Sequence, residues 1–349
     1  MSIFLVKRRS LYLLTILGVS LTLFLLPAKI RAQTAIISER DSLYGVAAVG
    51  REHAWVVGYW GKILHTANGG KTWELQTSGT DKPLYSVKFI DERQGIITGR
   101  EGAILRTDDG GKTWIKATSG TKHHLISVAY ADRQNIWAVG DFGTILHSPD
   151  SGKTWQDRSL KTWPVEQLDK FLRPEENPDL VLNRVYFYDA HQGWIIGEFA
   201  HILHTEDGGL TWQPQENFLE EMPTSTYWYD IKFRDLAHGW VAGLAGTTVH
   251  TEDGGQSWRK VPSHTIQNLF SIGLGKEDFA FGSVGTALKY SDDPENSWHN
   301  IKDIESINWF RGTAFSSDRE VGWVVGGSGT IFKTGDGGQT WQQLFPPKQ

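Results

Sequence analysis

The chain of 349 residues contains no cysteine. Disulfides and thiolate metal sites are excluded, so packing and hydrogen bonds alone must hold the fold. Methionine is scarce, at two residues. Long apolar runs are also missing, except near the N-terminus. There, Leu11 to Leu26 forms a predominantly apolar run of sixteen residues behind the basic Lys7-Arg8-Arg9. That run falls short of the roughly 18 residues a spanning helix needs. With Pro27 and a small residue at Ala32, it reads as a secretory signal peptide over residues 1–32; an uncleaved anchor is the other reading. Either way the body of the protein is exported, periplasmic or lumenal. An excess of positive charge is missing too. The first 32 residues hold five basic residues and no acid, which leaves 30 basic against 40 acidic in the remainder. A body of net charge −10 argues against general nucleic-acid binding, which rests on neutralising phosphates.

Glycine (38 residues) and tryptophan (16) are abundant, and they recur in order. Asp109-Gly-Gly-Lys-Thr-Trp114 resembles a phosphate loop when met alone. It is one of seven copies, which end at Trp73, Trp114, Trp155, Trp212, Trp258, Trp298 and Trp341 and are spaced 41, 41, 57, 46, 40 and 43 residues apart. The lysine position reads Lys, Lys, Lys, Leu, Gln, Asn, Gln, whereas a phosphate site could not lose its lysine. What persists is Asp or Asn, then Ser or Thr, then Trp. A period of this length marks a propeller or solenoid. No cofactor and no metal are expected at these boxes.

Residues 84–118 read as four short strands. They are Leu84 to Phe89, Gly95 to Gly99, Ala103 to Thr107 and Thr113 to Ala117, separated by polar and glycine turns. The other copies follow the same template. Their second strands end at Gly58, Gly99, Gly140, Gly197, Gly243, Gly282 and Gly326. Three residues earlier stand Trp55, Ile96, Trp137, Trp194, Trp240, Phe279 and Trp323, the expected packing between neighbouring sheets. Seven such units over 41–345 predict an all-β, seven-bladed propeller of four-stranded antiparallel blades, a closed ring expected to be a monomer. The sixth blade should be the least regular, because Pro294-Glu295 replaces the two glycines of its box.

In such a meander all the boxes share one face, here called lower. The turns between second and third strands share the upper face with the links between blades. There the copies diverge. The turns carry Tyr59 and Trp60, Arg100, Phe142 and Phe199 in the first four blades and small or apolar residues in the last three. A long link at about 157–181 holds Trp163 and Phe171, with apolar spacing compatible with a short helix from about Val165 to Leu172. Long connections in compact domains are commonly functional. Two readings fit this one, a partner-binding edge or a cover for the channel mouth. A second, shorter link runs from Pro214 to Trp228. Arg184, Arg234 and Arg311 lie in or beside first strands, which line the central channel. They are either solvated, ion-paired channel residues or a clamp for an anionic ligand.

The boxes, together with "AWVVGYWGKILHTANGGKTW", "GWIIGEFAHILHTEDGGLTW" and "GWVVGGSGTIFKTGDGGQTW", resemble the BNR/Asp-box repeats of the photosystem II assembly and stability factors. These are exported seven-bladed propellers of cyanobacteria and chloroplasts, and the resemblance covers about residues 41–345. It implies a non-enzymatic factor whose partner is a membrane protein or membrane-complex subunit on the periplasmic or lumenal side. The chain lacks the lipid-modified cysteine of many cyanobacterial members. Two alternatives belong to other classes. One is a propeller that binds a glycan or an envelope complex. The other is a sialidase-like hydrolase, for which Arg184, Arg234 and Arg311 would have to converge beside Tyr229 or Tyr186. The Phe-Arg-Ile-Pro motif of sialidases is absent.

Overall fold

The computed structural model describes residues 36–173, 176–215, 222, 225–293 and 297–347. The signal-like segment, most of the 214–228 link, and the Pro294-Glu295-Asn296 stretch of the sixth box lie outside the described residues. The body contains seven four-stranded sheets, and in each sheet consecutive strands are hydrogen-bonded neighbours in chain order. All pairings are antiparallel; in the second blade they join Leu84–Phe89, Gly95–Gly99, Ile104–Thr107 and Ile115–Ala117. The seven first strands stand side by side around a central channel, and the last (Phe310–Phe315) lies against the first (Leu43–Val49). This is the seven-bladed propeller that the repeats predict.

Each blade is built from its own repeat, so no strand from one end of the chain completes a blade at the other. The seam between the seventh and first blades is fastened by other contacts. Gly329 N–H donates to the carbonyl of Asp41 (2.7 Å), Arg51 Nε to Asp318 (2.6 Å) and Lys333 Nζ to the carbonyl of Gly69 (2.7 Å).

The large residue of each second strand holds neighbouring blades together, as expected. Trp55 stacks on Phe89 of the next blade at 3.7 Å between centroids, and Trp194 stacks on Phe233 at 3.8 Å. The indole N–H of Trp55 donates to the carbonyl of Gly110, and that of Trp137 to Gly208, both at 3.1 Å and both inside the next blade's box. The box tryptophans meet these residues edge-on, Trp73 against Trp323 and Trp212 against Trp137. Glycine is required at the third box position because of this approach. A Cβ on Gly209 would come within 2.4 Å of Trp137, and the backbone there is left-handed (φ 94°).

Within the box, the aspartate bonds further along the chain than a simple turn implies. Asp109 accepts from the Thr113 N–H (2.9 Å) and the Thr113 hydroxyl (2.6 Å), four residues on. A threonine two residues before the box completes the motif. Thr107 donates its hydroxyl to Asp109 and accepts from the Gly111 N–H, both at 2.8 Å. Burial opposes ionisation of Asp109, but the Thr113 hydroxyl and N–H and the Thr107 hydroxyl outweigh it and hold the carboxyl at about 2.

Among the described residues no helix is long and apolar enough to cross a membrane. One short helix, α1 (Val165–Phe171), occupies the long link where the apolar spacing predicts it.

Candidate partner-binding face and central channel

The upper face is made by seven turns of one kind. In the first, Trp60 (φ 56°, ψ 33°) and Gly61 (φ 64°) form the corner, and Lys62 N–H donates to the carbonyl of Tyr59. Two successive left-handed residues closed by this bond make a type I′ turn, whose preferred corner is Asn-Gly. The first corner residue is left-handed in all seven blades: Trp60, Glu101, Phe142, Phe199, Ala245, Val284 and Ser328, with φ between 51° and 58°. None is asparagine, aspartate or glycine. A left-handed conformation costs an L-residue roughly 1–2 kcal/mol, and it is hardest on a β-branched one such as Val284.

Several of these strained corners present large apolar groups to solvent. Trp60 is 70% exposed and Phe142 49%. Tyr59 packs edge-on against Trp60, and Phe142 lies over His123. Arg100 is exposed beside Glu101, which Lys82 also holds at 2.8 Å. Phe199 is half-buried beside Tyr227.

The long link does not reach the channel; none of its described residues lines it. It folds instead against the third and fourth blades. Leu160 N–H donates to the carbonyl of Gly143, Gly143 N–H to that of Leu180, and Gln167 Nε2 to that of Trp212. Phe171 is buried with Leu160, Leu180 and Leu182, and Trp163 is partly buried against the same cluster. Phe171 thus anchors the link and faces the core, not solvent. Beneath it the buried Glu176 accepts from His201 (2.7 Å) and Arg173 (2.9 Å). Burial holds His201 below the usual imidazole range even though Glu176 pulls it upward.

The channel is shaped by a feature that composition and repeats did not disclose. Every first strand carries a bulge at its second residue, where the register with the second strand slips. The bulged residues are Tyr44, Tyr85, Ile126, Asn183, Tyr229, Phe270 and Arg311. With Arg184 they ring a neck of about 30 Å³ at the upper end. Below it opens a cavity of about 330 Å³, and a wider lower mouth of about 660 Å³.

The three channel arginines do not converge. Arg184 and Arg311 line the neck and cavity. Arg234 borders the lower mouth, where it is paired with Asp278 and donates to the carbonyl of Gly275. Two lysines line the cavity instead, Lys88 and Lys232. Each keeps some surface open to the channel, yet protein surrounds it on every side. This enclosure, reinforced by the charges of Lys232 and Arg184, lowers Lys88 to about 7; Asp230 acts in the opposite direction. Burial likewise lowers Lys232, and burial with the charge of Arg184 lowers Arg311. A lysine flanked by a β-branched residue and phenylalanine in an inner strand (Val87 and Phe89, Ile231 and Phe233) was the available signal for both.

Comparison with known proteins gives the following. The family described as "Photosynthesis system II assembly factor YCF48" matches over residues 30–123, 174–266 and 215–302. The chain is 43% identical over 49 residues to the photosystem II assembly lipoprotein Ycf48 of a Picosynechococcus species. It is 46% identical over 48 residues to that of a Synechocystis species. Each stretch spans 14% of this chain and 14% of the relative. Among solved structures, "YCF48 bound to D1 peptide" superposes with a TM-score of 0.66 at 19% identity, covering 85% of this chain and 94% of that one. A GH74 xyloglucanase from Xanthomonas campestris gives 0.69 at 14% identity, covering 88% of this chain and 55% of that one. At these identities both likenesses are of fold.

Proposed function

Taking as premise that the chain belongs to the photosystem II assembly factor family typified by YCF48, we propose that it is a non-enzymatic assembly factor. In this reading it is exported and acts as a monomer, and its upper face holds a subunit of a membrane complex. The observation that carries the proposal is the set of type I′ corners. Tryptophan and phenylalanine occupy positions where asparagine or glycine would cost less, and they are exposed there. Backbone strain retained at a surface is a mark of function, and aromatic side chains with arginine are the usual energetic anchors of interfaces. Tyr59, Trp60, Arg100, Phe142 and Phe199 form this face. Trp163 and Phe171 hold the adjoining link in shape, and Arg184 and Arg311 receive polar groups that reach the neck.

The absence of catalysis is part of the proposal. Glycoside hydrolysis ordinarily uses two carboxyl groups that flank the scissile bond. Asp230 is the one carboxylate among the residues lining the cavity, and it is buried against Arg184. The three arginines a sialidase needs are separated. The D1 peptide named with the solved neighbour suggests D1 as the subunit to test first. Tagged protein is incubated with detergent-solubilised photosynthetic membranes, and the retained D1 is measured by immunoblot. The wild type is expected to retain it, and a Trp60→Ala/Phe142→Ala variant to lose most of it. Equal retention by a folded double variant would move the site off this face.

A further inference from the structure

The central cavity carries an unbalanced charge that reaches beyond the neck to two lysines the upper face does not explain. Lys88, Arg184, Lys232 and Arg311 project into it from the second, fourth, fifth and seventh blades, against the single carboxylate of Asp230. That carboxylate is already committed. It accepts from Ile272 N–H (2.8 Å) and Ser271 Oγ (3.3 Å), and Arg184 Nε stands 2.7 Å away. Lys232 donates to the carbonyls of Ile272 (2.6 Å) and Thr313 (3.2 Å). Lys88 and Arg311 have no carboxylate partner among the described residues; Arg311 stands over the Phe270 ring at 5.7 Å.

Two polar atoms on the same wall also lack a hydrogen bond. The N–H of Arg184 Nε is turned away from Asp230 despite the short distance, and Thr313 Oγ1 has no partner although Thr313 is only 6% exposed. Enclosed cations and unpaired polar groups are costly unless something compensates them. A charge excess of this sign, drawn from four blades around one space, surrounds a ligand instead of lying on a surface.

We infer that the cavity is a binding site for a small dianion, an inorganic oxyanion or a short dicarboxylate, that enters from the lower mouth. The volume of about 330 Å³ lies at the small end of ligand pockets. The upper neck of about 30 Å³ has room for roughly one water, so entry from above is closed to such an ion. The proposal shares Arg184 and Arg311 with the neck, but Lys88 and Lys232 line the cavity and not the neck, so Lys88 variants test it without a partner on the upper face.

Proton linkage supplies a signature. The charged groups acting on Lys88 are Lys232, Arg184 and Asp230; Arg311 and the Tyr44, Tyr85, Tyr130 and Tyr186 rings share the cavity wall. A dianion beside Lys88 stabilises its ammonium form, so binding takes up a proton near neutral pH. The test is isothermal titration of the whole protein with sodium sulfate and, in parallel, sodium succinate, against sodium chloride at matched ionic strength.

One-to-one binding of either dianion, with proton uptake revealed by buffers of different ionisation heat, supports the site, and the stronger of the two identifies the ligand class. Affinity should fall about tenfold from about pH 6 to about pH 8.5, as Lys88 loses its proton. Lys88→Met and Arg311→Met should each weaken binding about tenfold or more at the lower pH. Lys88→Arg should bind while losing most of the pH dependence, since a guanidinium stays charged. Circular dichroism confirms that each variant is folded. Heats no different from chloride, or unchanged affinity in folded Lys88→Met, would overturn the inference.

Discussion

Replacing Trp60 by glycine separates what the upper turns do for the fold from what they do for a partner. Trp60 sits at φ 56°, ψ 33°, with the residue 70% exposed and Tyr59 edge-on against its ring. Relief of the left-handed conformation should return roughly 1–2 kcal/mol. Glycine loosens the unfolded chain and takes back ~0.4–1 kcal/mol. The exposed edge contact with Tyr59 contributes at most about 0.5–1.5 kcal/mol, and less in water. The sum lies between a loss of about 1 kcal/mol and a gain of about 1.5 kcal/mol. Urea unfolding followed by tryptophan fluorescence measures it. Val284→Gly, where the strained residue is β-branched, should gain more. Partner affinity should move the other way for Trp60→Gly, falling about thirtyfold if the ring is an energetic anchor. Destabilisation beyond about 1 kcal/mol would refute the reasoning, because Trp60 would then support the fold. Unchanged stability together with unchanged partner binding would remove Trp60 from the interface.

Asp109→Asn should be nearly neutral at pH 7, because Asn68 fills the same place in the first blade and keeps its bonds to Thr72 (2.7 and 2.9 Å); Asp109→Ala should cost about 1 kcal/mol or more in chemical denaturation. The carboxyls of Asp109, Asp150 and Asp336 are held at about 2, below their unfolded value near 3.8, so they add stability above about pH 4 that is lost as pH falls toward 2; an acid titration by circular dichroism should show the loss there. Trp55→Phe should cost only about 1 kcal/mol beyond the lost ring contacts, since the carbonyl of Gly110 keeps the Gln76 amide at 3.1 Å, and a much larger loss would show that the indole bond fixes blade order. Lys88 is lowered from 10.5 to about 7, so the folded state gains stability as pH rises from 7 toward 10.5; in anion-free buffer, the thermal advantage of Lys88→Met over wild type should shrink across that range.

The scaffold was legible because its signals repeat. The glycine that ends each second strand, the large residue three places before it and the box each occur once per blade, so one copy corrects the reading of another. The site was less legible because it lies where the copies differ. Arg184, Arg234 and Arg311 looked equivalent as inner-strand arginines. Arg184 is the third residue of its strand, while Arg234 follows the end of its own, a separation along the channel of roughly 13 Å at about 3.3 Å per residue. Arg311 is the second residue of its strand and so occupies the bulge that all seven first strands share, and bulges leave no signature in a period-two pattern. Lys88 and Lys232 escaped notice because lysine ordinarily reads as a solvated surface residue. The left-handed corners were hidden for a related reason: Trp-Gly and Phe-Gly do not announce a type I′ turn as Asn-Gly does.

The geometry divides the two faces by duty. On the lower face several box glycines accept an indole or support a ring from the preceding blade, as Gly110 does for Trp55 and Gly209 for Trp137. Any change there is felt by two blades at once, which accounts for the likeness of the boxes outside the sixth blade. The upper corners carry no such contact. In five blades a Cβ at the second corner residue would strike the link backbone, as at Gly61, where it would lie 2.0 Å from the carbonyl oxygen of Thr80; the fourth blade carries Ala200 there. The first corner residue points outward, so its side chain is free to vary at the cost of local strain. A ring that locks its blades from below can therefore carry several strained, exposed aromatics above without losing its fold. The channel follows the same division, with a crowded neck beneath the variable face and its cations reached through the mouth on the constant one.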